Sequence, residues 1–180
     1  MPIGEVGTAR LVLRRPRAED ATGVLAVLGD PRSVEHNPSD RVDDLDAAGT
    51  LVARWIQHWS AHGLGYWCVF EHGSDELAGI CGLKKMTVHG QPVLNLLYRL
   101  RPEHWGQGYA TEAAMAVLAC VGGQQLDGTI LARVRPENVA SQRVATKLGL
   151  HRDAALDVMG DDGMDWAFTN RTPERLRDRG

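Results

Sequence analysis

The most constraining feature of the chain is a strand-like run that stops at a proline and is followed by two glycines and a helical pattern. The run ends at Leu100, Pro102 blocks its continuation, and Gly106 and Gly108 come just before the helix. Apolar residues recur at positions i, i+3, i+4 and i+7 over residues 109–121, which is typical of a helix with one buried face. A helix start carries unpaired backbone N–H groups and positive partial charge, and glycines there let the backbone approach a phosphate. The segment therefore predicts a pyrophosphate cradle, with a strand-to-helix turn that binds nothing as the alternative.

The same residues exclude two common phosphate-binding motifs. A P-loop requires a Gly-Lys pair, and none occurs in the chain. A dinucleotide fingerprint requires a third glycine three residues after the second, where this chain has Thr111. The glycine pair alone therefore leaves both the cradle and the empty turn open.

The rest of the chain indicates a mixed α/β domain with hairpins before the central helix. Periodicity and turn residues predict strands over residues 10–15, 66–71, 77–88, 93–100, 129–134, 150–158 and 164–169. They predict helices over residues 18–28, 43–61, 109–121 and 138–148.

Length and charge limit the function classes. A chain of 180 residues suits one domain, which we expect to span residues 1–180 with a core over 9–170 and a charged tail over 171–180. The formal net charge of −3 provides no basic excess for general nucleic-acid binding. No apolar run reaches the ~18 residues that a membrane helix needs, so we expect neither nucleic acid nor membrane as a partner.

Cysteine usage and the first residues bear on location. Cys68, Cys81 and Cys120 are widely spaced and form neither a disulfide framework nor a CxxC metal site. The first residues lack an apolar stretch with a small-residue cleavage site, so they do not resemble a secretory signal. We therefore expect a reducing location, the cytoplasm.

Residues 98–113, YRLRPEHWGQGYATEA, resemble the pyrophosphate-binding motif of the GNAT superfamily of acyl-CoA N-acyltransferases. The family loop reads Gln/Arg-x-x-Gly-x-Gly/Ala, and residues 105–110 match it with Trp105 in the first position. The sequence WGQGYATEA is similar to the subfamily that includes ribosomal-protein N-terminal-alanine acetyltransferases. Residues 133–150 resemble that subfamily's next strand and helix, with Asn138, Ser141, Lys147 and Gly149 in place.

The resemblance implies a fold and a co-substrate. The implied fold is a single GNAT-like domain with a central mixed, mostly antiparallel sheet of about seven strands flanked by about four helices. The implied co-substrate is acetyl-CoA, and no metal is expected. In this family the strand before the loop splays from its neighbour, and pantetheine pairs with the free edge as an added strand would.

Cofactor-binding residues follow from the resemblance by position. The strand positions are Tyr98, Arg99 and Leu100, and the N–H of Tyr98 becomes the oxyanion donor, which makes it a catalytic candidate. The pyrophosphate then lies on the N–H groups of Trp105, Gly106, Gln107, Gly108, Tyr109, Ala110 and Thr111. Asn138 matches the asparagine that contacts CoA.

Two positions depart from the family pattern. Many members carry a tyrosine as general acid seven residues after the motif asparagine, and this chain has Ala145 there. Ser141 is then the second catalytic candidate, facing the sulfur of CoA, unless it is a helix serine bonded to its own backbone. Subfamily relatives often carry a glutamate where this chain has Asn95. No general base is therefore assigned, and Asp165 on the final strand stays a candidate.

The acceptor side is the least defined part of the sequence. The family uses its first two helices and their loop for the acceptor, which implies His36 and Asn37 here. Trp59 and Trp67 either form an acceptor-binding wall or pack in the core, and Asn95 completes the candidate set. His58 and His62 have the spacing of a helical zinc pair but lack the HExxH glutamate and a third ligand, so we expect two exposed histidines.

The implied reaction is transfer of an acetyl group from acetyl-CoA to a primary amine by direct attack in a ternary complex. An α-amine has a pKa of about 7.7–8.0 and a lysine side chain about 10.4, so a site without a strong base favours an N-terminal α-amine of a protein or peptide. The alternatives are a small-molecule amine (an antibiotic, a polyamine or an amino acid) and a non-catalytic acyl-CoA-binding sensor. We expect a monomer or a homodimer.

Overall fold

The structure is a computed structural model that describes residues 4–122 and 128–171. Its strands are β1 (Glu5–Gly7), β2 (Leu11–Arg14), β3 (Tyr66–Glu71), β4 (Leu77–Val88), β5 (Gln91–Leu100), β6 (Thr129–Val134), β7 (His151–Arg152), β8 (Val158–Gly160) and β9 (Gly163–Thr169). Its helices are α1 (Ala21–Leu28), α2 (Leu45–His62), α3 (Tyr109–Gly122) and α4 (Val139–Lys147). Except for Arg171, the expected charged tail lies outside the described residues.

The strands form one sheet in the order β1-β2-β3-β4-β5-β6-β9-β7, and β8 pairs with β9. Neighbouring strands are antiparallel except for the parallel pair β5 and β6. The mixed, mostly antiparallel sheet with four flanking helices is therefore confirmed. The strand number is larger than expected, because the described residues contain nine strands rather than about seven.

Two segments account for the extra strands. Residues 5–7 precede the first predicted strand and pair with β2 as β1. The predicted strand over residues 150–158 is wrong, because the chain there forms β7, a 3-10 turn at Ala154–Leu156 and the start of β8. The side chain of Asp153 accepts a hydrogen bond from the N–H of Ala155, a contact that turns the chain and ends a strand.

The sheet separates two apolar layers. On one face the α3 and α4 residues Ala113, Val117 and Ala145 pack into a cluster with the strands. On the other face Val24 of α1 and Val52 of α2 belong to a second cluster. No helix within the described part of the chain is long and apolar enough to cross a membrane.

The central hairpin, β4 and β5, sets the position of the site. It turns at His89 and Gly90, which both have positive φ angles, 47° and 76°, as a two-residue hairpin turn requires. From this turn β4 and β5 pair without a break as far as Gly79 and Leu100. On its other edge β5 pairs with β6 only at Val93, Leu94 and Asn95. The two strands therefore diverge beyond Asn95, and a gap opens between them.

Candidate active site

The open edge of β5 is the first component of the candidate site. The N–H of Arg101 donates to the carbonyl of Ala78 on β4 at 2.9 Å, while the carbonyl of Leu100 accepts from Nε1 of Trp105 at 2.9 Å. Because successive backbone groups of a strand point to opposite edges, the backbone groups of Tyr98 and Leu100 face the gap. This is the splayed strand that the resemblance implied, and it leaves polar backbone groups for an extended ligand to pair with.

The loop between β5 and α3 is the second component. A 3-10 turn at Pro102–His104 leads into it, and Gly106 and Gly108 have φ angles of 72° and 80°. An added Cβ at Gly106 would meet nothing within 4 Å, and one at Gly108 would only approach Arg10. The glycines are therefore needed for their left-handed backbone and not for lack of space. They lead into α3, whose first N–H groups have no partner within the helix.

An ion pair with the first hairpin fixes this loop. Arg10 donates from Nη1 to the carbonyl of Gln107 at 2.8 Å and from Nε to Glu112 at 2.7 Å. Glu112 also accepts from the backbone N–H of Arg10 and from the hydroxyl of Thr8. Burial opposes ionisation of Glu112, but these hydrogen bonds outweigh it and lower the pKa of the carboxyl. Glu112 is thus an anchor in the first turn of α3.

The side chains of the loop have different surroundings. Trp105 is 49% exposed, although its indole N–H is bonded to Leu100. The ring of Tyr109 is buried, and its hydroxyl donates to Glu71. Arg10 covers that ring at 4.5 Å from the centroid. These side-chain contacts hold the loop against Arg10, β3 and β5. The backbone N–H groups of the loop are then the part that a ligand can approach.

Tyr98 and Ser141 meet across the gap between β5 and α4. The phenol of Tyr98 donates to the carbonyl of Ser141 at 2.8 Å, and the hydroxyl of Ser141 donates to the phenol oxygen at 3.1 Å. Ser141 therefore bonds a side chain on another element and not its own helix backbone. Burial raises the pKa of Tyr98 to about 12, so the phenol stays protonated. Ala145 is fully buried, and the Tyr98 phenol contacts its backbone.

Asn138 forms the N-cap of α4. Its Oδ1 accepts from the N–H of Ser141 at 3.0 Å, a common way to satisfy a helix start. The cap uses the oxygen of the carboxamide and leaves the nitrogen as the end that can meet a ligand. The cap also fixes Ser141 in the first turn, beside Tyr98.

The opposite face of β5 carries Asn95 and Arg99. Arg99 is bonded to Asp40 at 2.9 Å and more loosely to Oδ1 of Asn37 at 3.4 Å. His36 is next to Asn37 in the loop that connects α1 to α2. Oδ1 of Asn95 is buried and has no hydrogen-bond partner among the described residues. A buried acceptor without a donor is unusual in a folded protein, so this oxygen marks a place where a ligand donor or water would bind.

Asp165 brings a carboxylate to this face from β9. The register of β5, β6 and β9 places Asn95, Leu131 and Thr169 side by side, and alternation puts Arg133 and Asp165 on the same face. Asp165 is 6% exposed, and Nη1 of Arg133 lies 3.8 Å from it. Burial raises its pKa, Arg133 and Arg135 oppose the shift, and Asp162 adds to it. The structure thus supplies the buried carboxylate that the sequence left unassigned.

The turn between β8 and β9 contacts the loop between α1 and α2. Asp162 accepts hydrogen bonds from the backbone N–H of Ser39 at 3.1 Å and from its hydroxyl at 2.6 Å. The loop between α1 and α2 is thereby joined to the β8–β9 hairpin. Asp40, the next residue of the same loop, pairs with Arg99 of β5, so this loop contacts both β5 and the β8–β9 hairpin.

Trp59 and Trp67 do not lie on the acceptor face. They are 4% and 2% exposed, and their rings pack edge to face at 4.5 Å between centroids. Nε1 of Trp59 donates to the carbonyl of Tyr66 at 2.8 Å. Trp67 lies in register with Cys81 and Tyr98, on the sheet face opposite Asn95. Both tryptophans belong to the core cluster that also contains the α3 and α4 residues, which corrects their expected place in an acceptor-binding wall.

The two histidines of α2 lie side by side. The rings of His58 and His62 lie 4.4 Å apart. His58 is half-buried rather than exposed. Within the described residues no group of three or more His, Cys, Asp or Glu side chains is placed to hold a metal.

Sequence reasoning missed the side chains that reach the site from distant segments. Tyr66 contacts the Asn95 amide; burial raises the pKa of its phenol, and this contact opposes the shift. Arg133 and the anchor Arg10 were not identified, whereas Asp40 lies in the loop between the first two helices that the resemblance assigned to the acceptor. Asp165 had a readable signal, because it alternates with Ala167 and Thr169 at the buried positions of β9. A carboxylate in such a series is rarely buried without a reason.

Comparison with known proteins places this fold and loop in a family. The family profile for the acetyltransferase (GNAT) domain matches residues 10–151. The chain is 36% identical over 90 residues to the uncharacterized protein YkkB of Bacillus subtilis, a match over 50% of this chain that spans only about half of YkkB (52%). It is 27% identical over 152 residues to the uncharacterized N-acetyltransferase p20 of Bacillus licheniformis, covering 83% of each.

A solved structure shows the same architecture. The acetyltransferase from Agrobacterium tumefaciens superposes with a TM-score of 0.79 at 24% identity, and 96% of each chain is covered. The family profile covers more than half of the present chain and includes the β5 edge, the glycine loop and Ser141. This chain therefore belongs to the GNAT acetyltransferase family.

Proposed function

We propose that the chain transfers an acetyl group from acetyl-CoA to the α-amine of a peptide or protein N-terminus, as the ribosomal-protein subfamily does. The observation that carries this proposal is the open edge of β5, which adjoins the glycine loop at one end and a charged acceptor face at the other. Backbone groups along the edge suit pantetheine, and the N–H groups at the start of α3 suit a pyrophosphate.

Two proteins with this fold support acetyl-CoA as the co-substrate. RimL, a ribosomal L7/L12 alpha-N-protein acetyltransferase, is described in complex with coenzyme A and has a TM-score of 0.76 at 15% identity. MccE, a microcin C7 self-immunity acetyltransferase, is described in complex with acetyl-CoA and AMP and has a TM-score of 0.75 at 11% identity. In the present chain, the backbone of Tyr98 and Leu100, residues 105–111 and the Asn138 carboxamide are the groups that would hold the co-substrate. Arg99, which the resemblance also implied, instead pairs with Ile80 of β4 and with Asp40.

The chain's own groups suit each part of the reaction. Acetyl-CoA supplies a thioester that a neutral amine attacks. The N–H of Tyr98 faces the gap and would donate to the oxyanion that then forms, a contact worth ~2.7–4 kcal/mol in comparable enzymes. The hydroxyl of Ser141 would turn from Tyr98 to the departing thiolate. Many family members have a tyrosine general acid at the position of Ala145. In this chain the two donors together would perform its role.

The acceptor face suits an amine that arrives as an ammonium ion. The buried Oδ1 of Asn95 would accept a hydrogen bond from it. Asp165 lies two strands away and four residues along β9 from the position level with Asn95, so it would take the proton through water. Burial raises the pKa of Asp165, which makes it a better base than an exposed carboxylate. An α-amine needs the least help from such a base, because its pKa is about 7.7–8.0.

The cysteines favour direct transfer over an acyl-enzyme. Cys68 and Cys81 are buried, and burial raises the pKa of both thiols. Cys120 lies in the second half of α3, away from the glycine loop, and burial raises its pKa as well. Thiols that resist ionisation are poor nucleophiles. Three unpaired thiols also support the expected reducing location in the cytoplasm.

A second acceptor class is favoured by the acidic side chains on the same face. Asp40, Asp162 and Asp165 would attract a small cationic amine as well as a peptide N-terminus. The microcin immunity protein MccE shows that this fold also occurs in an acetyltransferase outside the ribosomal group. A polyamine is therefore the second candidate acceptor.

The test is release of free thiol from acetyl-CoA with a panel of amines at pH 7. We expect an alanine-initiated peptide to react at least about tenfold faster than a matched peptide whose only amine is a lysine, because far less of the lysine is neutral. If spermidine reacted faster than the alanine-initiated peptide, the acceptor would be a small-molecule amine and not a peptide.

Two other results would change the proposal itself. Stabilisation against heat by acetyl-CoA without thiol release from any amine would indicate an acyl-CoA sensor. No stabilisation at saturating acetyl-CoA would overturn both functions. Asn138→Ala serves as a control, because it should raise the KM for acetyl-CoA without changing the preference among amines.

A further inference from the structure

A small cavity lies between α2 and the sheet, on the same face as Asn95. Its volume is about 110 Å³. It is lined by Leu51, Arg54, Trp55, His58, Tyr66 and Lys84. Trp55 and Tyr66 meet edge to face at 5.8 Å between centroids and form an apolar floor. The polar part of the lining is basic.

Arg54 and Lys84 are exposed cationic side chains that line this cavity. Many other arginines are paired with carboxylates, as in Arg14 with Asp20 at 2.7 Å and Arg152 with Asp157 at 2.5 Å. Within residues 4–122 and 128–171, neither Arg54 nor Lys84 forms an ion pair. Unpaired cations around one cavity favour an anion as its occupant.

His58 provides a second, independent sign that an anion binds in this cavity. Its Nε2 is buried and has no hydrogen-bond partner among the described residues. Burial lowers the pKa of this imidazole, and His62, Lys84 and Lys85 lower it further. A bound anion would accept from Nε2 and reverse the effect of these neighbours, since an opposite charge favours the protonated form.

The cavity adjoins the place where the acceptor amine would bind. Lys84 is the direct cross-strand partner of Asn95, and such neighbours have Cβ atoms about 4.5–5.5 Å apart on one face of the sheet. Tyr66, which lines the cavity, also contacts the Asn95 amide. A ligand with its amine at Asn95 can therefore reach the cavity with a group only a few atoms away.

We propose that this cavity is an acceptor subsite for a carboxylate, and that the enzyme prefers amines carrying a carboxylate a few atoms from the nitrogen. For a peptide acceptor this is an acidic side chain at the second position. The carboxylate accepts from Arg54, Lys84 and His58, while the ammonium end lies toward Asn95 and Asp165. This inference rests on the proposed function, because it concerns the acceptor of the same reaction.

The first test compares peptides that differ at one position. We expect kcat/KM for an Ala-Glu peptide to exceed that for the matched Ala-Gln peptide by about tenfold. Arg54→Gln and Lys84→Gln should reduce this ratio to below twofold and leave the KM for acetyl-CoA unchanged. Lys85→Gln is the matched control, because it removes the same charge from the neighbouring residue, whose side chain points to the opposite face, and it should keep the ratio.

The possible results distinguish failure of the subsite proposal from failure of the acetyltransferase proposal. Equal rates for the two peptides, or equal effects of Lys84→Gln and Lys85→Gln, would overturn the subsite and leave the acetyltransferase proposal intact. A phosphoserine peptide that reacts tenfold faster than the glutamate peptide would overturn carboxylate as the preferred group.

A binding measurement covers the case in which no amine reacts at all. The pKa of His58 is followed by NMR with and without glutarate. We expect glutarate to raise it in the wild type and in Lys85→Gln but not in Arg54→Gln. An unchanged His58 pKa at saturating glutarate would overturn the subsite whether or not the protein is a transferase.

Discussion

The two sides of the gap between β5 and β6 are built in different ways. On the co-substrate side, the groups come from two short segments, residues 98–111 and residues 138–141, and most are backbone N–H and carbonyl groups. On the acceptor side, the groups are side chains from distant segments. They are Asp40, Tyr66, Asn95, Arg99, Arg133 and Asp165.

This difference shows how tightly each side is fixed. Backbone donors are set by local chain geometry, above all by the positive φ angles of Gly106 and Gly108, so few substitutions can change them. Side chains can be exchanged without moving the backbone, so the acceptor side can change its specificity while the co-substrate side stays the same. Mutations on the two sides should therefore have separable effects on the two substrates.

The largest effect is expected for Gly108→Val. Valine is strained at a φ of 80°, and relief of that strain would turn the loop N–H groups away from the pyrophosphate. We expect the affinity for acetyl-CoA, measured by titration calorimetry, to fall at least about a hundredfold, with the circular dichroism spectrum retained. Gly90→Val is the matched control, because Gly90 has a φ of 76° in the β4–β5 turn. Similar affinity losses in both variants would show that the loop has no special role.

Asp165→Asn tests the acceptor side and should have the next largest effect. Loss of the base is expected to lower kcat about a hundredfold with little change in the KM for acetyl-CoA. In the wild type, log kcat/KM should rise with pH through the raised pKa of Asp165, and this acidic limb should be absent in the variant. Retention of the same limb in Asp165→Asn would exclude Asp165 as the base.

The same substitution should have the opposite effect on stability. A folded-state pKa above the unfolded value of about 3.9 means that the folded protein binds the Asp165 proton more tightly. The free energy of unfolding therefore falls as pH rises between the two pKa values. Asp165→Asn should consequently melt at a higher temperature than wild type at pH 7, and the difference should shrink as the pH is lowered toward 4.

Much of the co-substrate side could be predicted from the sequence, whereas much of the acceptor side could not. The strand end, the loop and the helix start were predicted from local signals, namely Pro102, Gly106 and the apolar period of α3. The divergence of β5 from β6 followed only from the family resemblance, because strand pairing is not a local property. The alternation in residues 164–169 is compatible with an inward-facing Asp165, but it carries no information on what Asp165 faces.

Two errors have clear physical causes. Trp59 and Trp67 carry aromatic rings that suit either a binding wall or a core, and only their mutual packing in the structure decides between the two. The strand predicted over residues 150–158 contains enough apolar residues, but the Asp153 side chain bonds the backbone at Ala155 and turns the chain. Side-chain contacts of this kind compete with strand pairing and are weakly marked in sequence.

Ser141→Ala should have a moderate effect on the co-substrate side. Loss of the hydroxyl that donates to Tyr98 at 3.1 Å should lower kcat about tenfold with little change in the KM for either substrate. Tyr98→Phe should lower kcat less, because the Ser141 hydroxyl remains. If the two act as a unit, the double variant will be no slower than Ser141→Ala. If steady-state kinetics showed that kcat of the double variant falls by the product of the two single-variant factors, the two hydroxyls would act separately.

The smallest effect is expected for Glu112→Gln, which alters the anchor of the loop without touching a ligand. The amide can still accept from Thr8 but loses the ion pair with Arg10, which is 2.6 Å long and half exposed on the arginine side. Pairs of this exposure contribute up to about 1 kcal/mol, so the stability loss should be of that order and the Kd for acetyl-CoA should rise about threefold. High salt screens such a pair. The wild type and the variant should therefore converge in acetyl-CoA affinity as ionic strength increases, whereas a constant difference would mean that Glu112 acts through the helix and not through Arg10.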